Sequence, residues 1–167
     1  MMNLFFSLGN TIIDYFVLEV LPMIKNEKSQ APNSFLNSIF LFLIGGGIYY
    51  FLEVLFRGYS HYSMFFAAGL SLVLINIICR KHPFFRNRNV FLKACVGGSI
   101  ITFIEFFIGI IFNVFLKQNV WDYTALPFNI LGQICIPFSV LWIILSFPAL
   151  LICKISDFSF WCSVLKK

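Results

Sequence analysis

The sequence predicts an all-α fold: a polytopic bundle of transmembrane helices, with four spans plus an N-terminal helix that is either amphipathic or a fifth span. Three observations carry this reading. Hydrophobic residues make up 60% of the 167 and charged residues only 11%, more apolar surface than a soluble core of that size can hide. Apolar runs recur at the length of about 20 residues that a helix needs to cross a bilayer. The cationic residues between those runs sort to alternate ends.

Residues 1–24 place Asn3, Ser7, Asn10 and Asp14 on one stripe, and Leu4, Leu8, Ile12, Phe16 and Val20 on another. This is the pattern of a helix lying in the membrane interface; the alternative is an extra span, which puts the N-terminus on the other side. No basic region precedes the apolar run, and Asp14 and Glu19 interrupt it, unlike a secretory signal. The four spans are read at 34–56, 62–79, 94–116 and 134–153. The second is the shortest and draws on Ser60 and His61. Pro137 and Pro148 lie in the fourth, where neighbouring helices in a membrane accommodate such breaks. The tail "KISDFSFWCSVLKK", 154–167, is an amphipathic segment resting on the membrane. With no internal repeat or linker, the chain reads as one integral membrane domain.

The loop charges orient the bundle. One side receives Lys25, Lys28, Arg80, Lys81, Arg86, Arg88, Lys93, Lys154, Lys166 and Lys167; the other receives Arg57 and Lys117. Positive residues stay cytoplasmic, so both termini are expected inside, with 57–61 and 117–133 facing out. The net charge of +5 then reports loops facing an anionic leaflet and not a nucleic-acid partner. "RKHPFFRNRN" (Arg80–Asn89) fits a basic cytoplasmic loop with an interfacial aromatic anchor. The five cysteines, Cys79, Cys95, Cys135, Cys153 and Cys162, show no C-x-x-C or zinc spacing. They read as small apolar packers, and no cofactor is expected.

The stretch "SIITFIEFFIGIIFNVF" (Ser99–Phe115) carries Glu105 in its middle. A charge at mid-membrane depth costs about 2.5–3.5 kcal/mol on insertion scales, so Glu105 is expected to face the bundle interior. Gly98, Thr102, Glu105, Gly109 and Asn113 share one helical face. The first span offers Gly46, Tyr49, Glu53 and Arg57 on such a stripe, and the fourth offers Gly132, Cys135, Ser139, Trp142 and Ser146. Glu105 is expected within reach of the first span's polar stripe or of Ser139. Small and hydroxylated residues need only be packing seams; a carboxylate asks for more. Glu53 and Arg57, one turn apart, can pair. With His61, Asn113, Asp122, Asn129 and Gln133 they gather in the outer half as candidate ligand or ion groups, walled by Trp121, Tyr123 and Phe128. No residue set has metal-ligand spacing, and no G-x-x-x-x-G-K-[ST] loop occurs, so the chain has no phosphate loop for ATP.

"WDYTALPFNILGQICIPFSVLW" resembles the signature of a bacterial membrane family, the ABC-transporter type IV (CmpB-type) family. The matching positions are Trp121, Asp122, Tyr123, Pro127, Asn129, Gly132, Ile134, Cys135, Phe138, Ser139 and Trp142. Upstream, Glu53 with Arg57, and Glu105, Gly109 and Asn113, also match. "RGYSHYSMF" (Arg57–Phe65) is similar to one branch of the family. The resemblance covers roughly residues 46–142; Thr124 stands where a serine is usual, and the Gly-Pro-rich segment of the other branch is absent after the first span. It implies a permease-like subunit in the cell membrane, working with a separate ATPase subunit or as a homo-oligomer. Two other readings stay open. One is a non-transporting module that binds a lipid headgroup or envelope polymer or scaffolds a partner. The other is a membrane enzyme using Glu53, His61 and Asp122 for acid–base chemistry.

Overall fold

The computed structural model describes residues 34–156. The N-terminal segment with its amphipathic or fifth helix, and residues 157–167 of the tail, lie outside the described residues. Helix α1 (Ser34–Arg57) is 24 residues long, about 36 Å at 1.5 Å per residue, enough for the hydrocarbon core of about 30 Å. It stops at Gly58, whose φ of +78° suits the left-handed position beyond a helix end. Its amide donates back to the Val54 carbonyl at 2.8 Å.

Helix α2 (Tyr62–Ile75) starts at His61, whose Nδ1 accepts from the Ser63 amide at 3.3 Å, and runs on as a π-helical segment, Asn76–Lys81. The short α3 (Pro83–Arg86) has proline at its first position, where no helical amide is needed. Helix α4 (Val90–Gly109) is capped by Asn89, whose side-chain oxygen accepts from the Leu92 amide at 2.8 Å. It too widens into a π-helical turn, Ile110–Phe115. The long loop beyond it ends in a two-stranded hairpin of β1 (Asn129–Ile130) and β2 (Ile134–Cys135), in which Asn129 pairs with Cys135 and Ile130 with Ile134. Helix α5 (Ile136–Ile155) completes the described chain.

Four of these helical stretches are long and apolar enough to cross a membrane: 35–57, 62–81, 90–115 and 136–155. They agree with the expected spans, with two shifts. The third begins at Val90 because Asn89 caps it there. The fourth begins at Ile136 because residues 134–135 pair with the preceding strand.

Helix α2 is the hub. It packs along α1 on one side and on α4 and α5 on the other, while α4 and α5 pack on each other. Leu41, Leu72, Ile75, Cys79, Ala94, Leu150 and Cys153 form the main core. Apolar burial between helices gains little in lipid, so close fit does the work. A Cβ on Gly46 would lie 2.6 Å from the Phe65 carbonyl oxygen, and one on Gly98 2.7 Å from the Ile143 backbone nitrogen. Cys79, Cys135 and Cys153 are buried and Cys95 half-buried, consistent with packing roles; Cys162 is outside the described residues. At the end away from the long loop, Arg80 is buried and donates to the Cys153 carbonyl and to Asn76 Oδ1. Lys93 donates to the Arg86 carbonyl at 2.9 Å.

Candidate functional site

The polar face of α4 is turned inward along its length. Gly98, Glu105, Gly109 and Asn113 are all buried, and Thr102 is half-buried. Glu105 is 4% exposed. Its Oε1 accepts from the Tyr123 hydroxyl at 2.9 Å and its Oε2 from Trp142 Nε1 at 2.7 Å. Its two hydrogen bonds are made neither to the first span's stripe nor to Ser139, while Tyr49 of that stripe lines a cavity together with Glu105. Trp142 lies on α5 and Tyr123 in the long loop, whereas the Ser139 hydroxyl donates to the Cys135 carbonyl at 3.0 Å. The first span contributes Tyr49, whose ring lies 6.1 Å from that of Trp142. Tyr123 stacks on Phe138 with centroids 4.6 Å apart. Burial, then the charge of Glu105, raises the Tyr123 phenol above its ordinary value, so it stays a neutral donor at physiological pH.

Two turns beyond Glu105, Asn113 ties the long loop to the helix. Its Nδ2 donates to the Trp121 carbonyl at 3.0 Å and to Gln133 Oε1 at 2.8 Å. Its Oδ1 accepts from the Val120 amide at 2.7 Å. Trp121 Nε1 donates to the Gln133 carbonyl at 3.0 Å, and Gln133 Nε2 to the Leu131 carbonyl at 2.9 Å. Gly109 makes room for this lock, since a Cβ there would come 2.5 Å from Gln133 Oε1 and 3.0 Å from the Trp121 ring.

The rest of the motif folds the loop on itself. Asp122 accepts from the Thr124 amide at 2.8 Å and the Thr124 hydroxyl at 3.0 Å, an Asx-type turn. Asn129 donates to the carbonyls of Thr124 (3.2 Å) and Leu126 (2.9 Å) and accepts from the Gly132 amide at 3.2 Å. Gly132 has φ +67°, and a Cβ there would lie 2.7 Å from Thr124 Cγ2. Pro127, exposed, stands in the turn before Phe128 (φ +55°). The neighbouring turn residue Leu131 also has a positive φ, +52°.

Glu53 and Arg57 pair as their spacing indicated, Nη1 to Oε1 at 2.6 Å. Ser60 completes the carboxylate, its hydroxyl donating to Oε2 at 2.6 Å. Arg57 also reaches the Tyr59 hydroxyl (3.1 Å) and the Val120 carbonyl (3.2 Å), which joins α1 to the long loop. His61 caps α2, with Nδ1 2.7 Å from the Ser63 hydroxyl and its ring 5.6 Å from Phe112. Apart from His61, which caps α2, the expected outer residues form three groups: the Glu53–Arg57 pair, the Asn113–Gln133 lock and the Asp122–Asn129 turn.

Between α1 and α2 on one side and α4 and α5 on the other lies a cavity of about 230 Å³. Its wall is aliphatic apart from Met64, Ser71 and the group around Glu105, where Tyr49, Trp121 and Trp142 also line it. The sequence puts Tyr49 on the first span's polar stripe without marking it as a candidate ligand group; its position one turn before Glu53 is the available signal.

The sequence profile of the family described as Putative ABC-transporter type IV matches residues 5–160, nearly the whole chain. The chain belongs to this family. The match takes in all four spans and every residue of the loop motif, so this Putative ABC-transporter type IV member is a multi-pass membrane protein of a transporter class. No curated protein and no solved structure matches it.

Proposed function

We propose that the protein is a permease-like subunit of the cell membrane, with both termini cytoplasmic, that handles its ligand in the intramembrane cavity and takes energy from a separate ATPase subunit. The observation that carries this is Glu105: a carboxylate at mid-span, on the wall of a cavity between helices. Carboxylates within spans mark substrate or ion pathways. The family supports the transport class, the missing phosphate loop calls for a separate ATPase, and the ten-to-two split of cationic residues supports the orientation. On this reading Glu105 is the ligand group, the Glu53–Arg57 pair guards the outer end, and Asn113, Asp122, Asn129 and Gln133 hold the outer loop in place. A non-transporting module is the second reading; it draws on the hydrogen bonds that those four spend within the loop and on its anchor.

The test is purification of the full chain from native membranes, with ATP hydrolysis assayed in the product. ATPase activity should accompany the native complex and be lacking in the chain purified alone from a foreign host. Ligand movement driven by the lone chain, without ATP, would overturn the proposal.

A further inference from the structure

We infer that the intramembrane cavity binds an amphipathic cation: an alkylammonium head held by Glu105 among the rings of Tyr49, Trp121 and Trp142, with its apolar body along the aliphatic wall. This rests on the reading of the cavity as the ligand site and names the class of ligand.

Charge balance comes first. Among the described residues, two buried carboxylates lie in the spans, Glu53 and Glu105. Glu53 is neutralised by Arg57. Glu105 receives two neutral donors, a phenol and an indole, and among the described residues it has no cationic partner. Each of its oxygens keeps a lone pair beyond the bond it accepts. An unpaired carboxylate at this depth is costly, a cost met either by a proton or by a cation, and a cation in the cavity pairs with the ionised form.

The rings around it point the same way. Tyr49, Trp121 and Trp142 line the cavity together with Glu105. Aromatic faces attract ammonium groups, by about 0.5–1 kcal/mol when exposed and about 2 when desolvated. Trp142 and Trp121 have their indole N–H groups engaged, to Glu105 and to the Gln133 carbonyl, which fixes the rings. The Tyr49 hydroxyl makes no hydrogen bond among the described residues.

The remaining wall excludes other classes. Ile75, Leu145, Ala149 and Ile152 offer nothing to a sugar or a peptide, the Ser71 hydroxyl is spent on the Ala67 carbonyl, and an anion would face a carboxylate. A plain acyl chain would fill the aliphatic part and leave Glu105 unused. The volume of about 230 Å³ suits a short alkylammonium.

The experiment titrates the full chain in lipid nanodiscs with hexyltrimethylammonium and with its uncharged carbon analogue, 2,2-dimethyloctane, following tryptophan fluorescence. The cation should bind saturably and about tenfold tighter than the analogue. Glu105→Gln should equalise the two. Gln fits the same network, its oxygen accepting from Trp142 and its amide donating to the Tyr123 oxygen. Tyr49→Leu, which leaves Glu105 untouched, should weaken the cation several-fold and spare the analogue. Ala149→Phe, which fills the aliphatic part, should abolish both. Equal affinity for cation and analogue in the wild type, or a preference that survives both Glu105→Gln and Tyr49→Leu, overturns the inference. ATP-driven transport found without a cation preference would sink this inference alone. A cation preference in a chain that moves ligand without ATP would sink the transport reading and leave the ligand class standing.

Discussion

Asn113→Ala removes the side chain that fastens the long loop to α4. Three hydrogen bonds go with it: two donated to Trp121 and Gln133, and one accepted from the Val120 amide. All four residues are buried, so water does not readily replace what is lost. A net 0.5–1.5 kcal/mol per bond is usual in soluble proteins, and about 0.6 kcal/mol is the mean for side-chain bonds between membrane helices. The Val120 amide, left buried without a partner, adds about 1–3 kcal/mol. The expected loss is therefore about 3–5 kcal/mol. Unfolding in a detergent–denaturant series measures it, and a red shift of Trp121 emission should appear before the helices unfold, because the loop detaches first. Gln133→Ala should cost less, since it breaks one of the three bonds. The double variant should show a coupling of about 1 kcal/mol. Wild-type unfolding of Asn113→Ala, with Trp121 emission unchanged, would refute the lock.

The same geometry carries two other expectations. Cysteine substituted at Asn119 should react with an impermeant thiol reagent added outside cells and cysteine at Asn87 should not; the reverse pattern would invert the proposed orientation. Asp122→Ala should lower stability by about 1 kcal/mol, because it opens an exposed turn, and Gly132→Ala by about 2 kcal/mol or more, because φ is +67° and Thr124 Cγ2 is in the way. Thermal melting distinguishes them, and a Gly132→Ala variant that melts like the wild type would contradict the tight hairpin.

The spans were legible in the sequence because lipid leaves a helix few ways to satisfy its backbone, and the Glu53–Arg57 pair was legible because it is local. The inward face of α4 was legible too, since one helical face gathered Glu105, Gly109 and Asn113. The hydrogen-bond partners of Glu105 were not. Trp142 is 37 residues away and Tyr123 18, and only tertiary packing decides which polar groups meet. The π-helical turns at Asn76–Lys81 and Ile110–Phe115 leave no periodic signal and shift the register of the residues beyond them. The loop motif was visible as a cluster of residue types, but its division into a lock around Asn113 and a turn around Asp122 depends on backbone partners that no spacing encodes.

The most direct test of the account compares Glu105→Gln with Glu105→Ala in one membrane, by thermal melting and by complementation of a deletion strain. Gln keeps one bond to each partner, accepting from Trp142 and donating to the Tyr123 oxygen, and removes the charge, so it should melt close to the wild type and fail to complement. Ala leaves the buried Trp142 N–H and the Tyr123 hydroxyl without their acceptor, so it should lose about 2–4 kcal/mol of stability as well. Full complementation by Glu105→Gln would show that the carboxylate serves packing alone, and a Glu105→Ala variant as stable as the wild type would show that it does not face the interior.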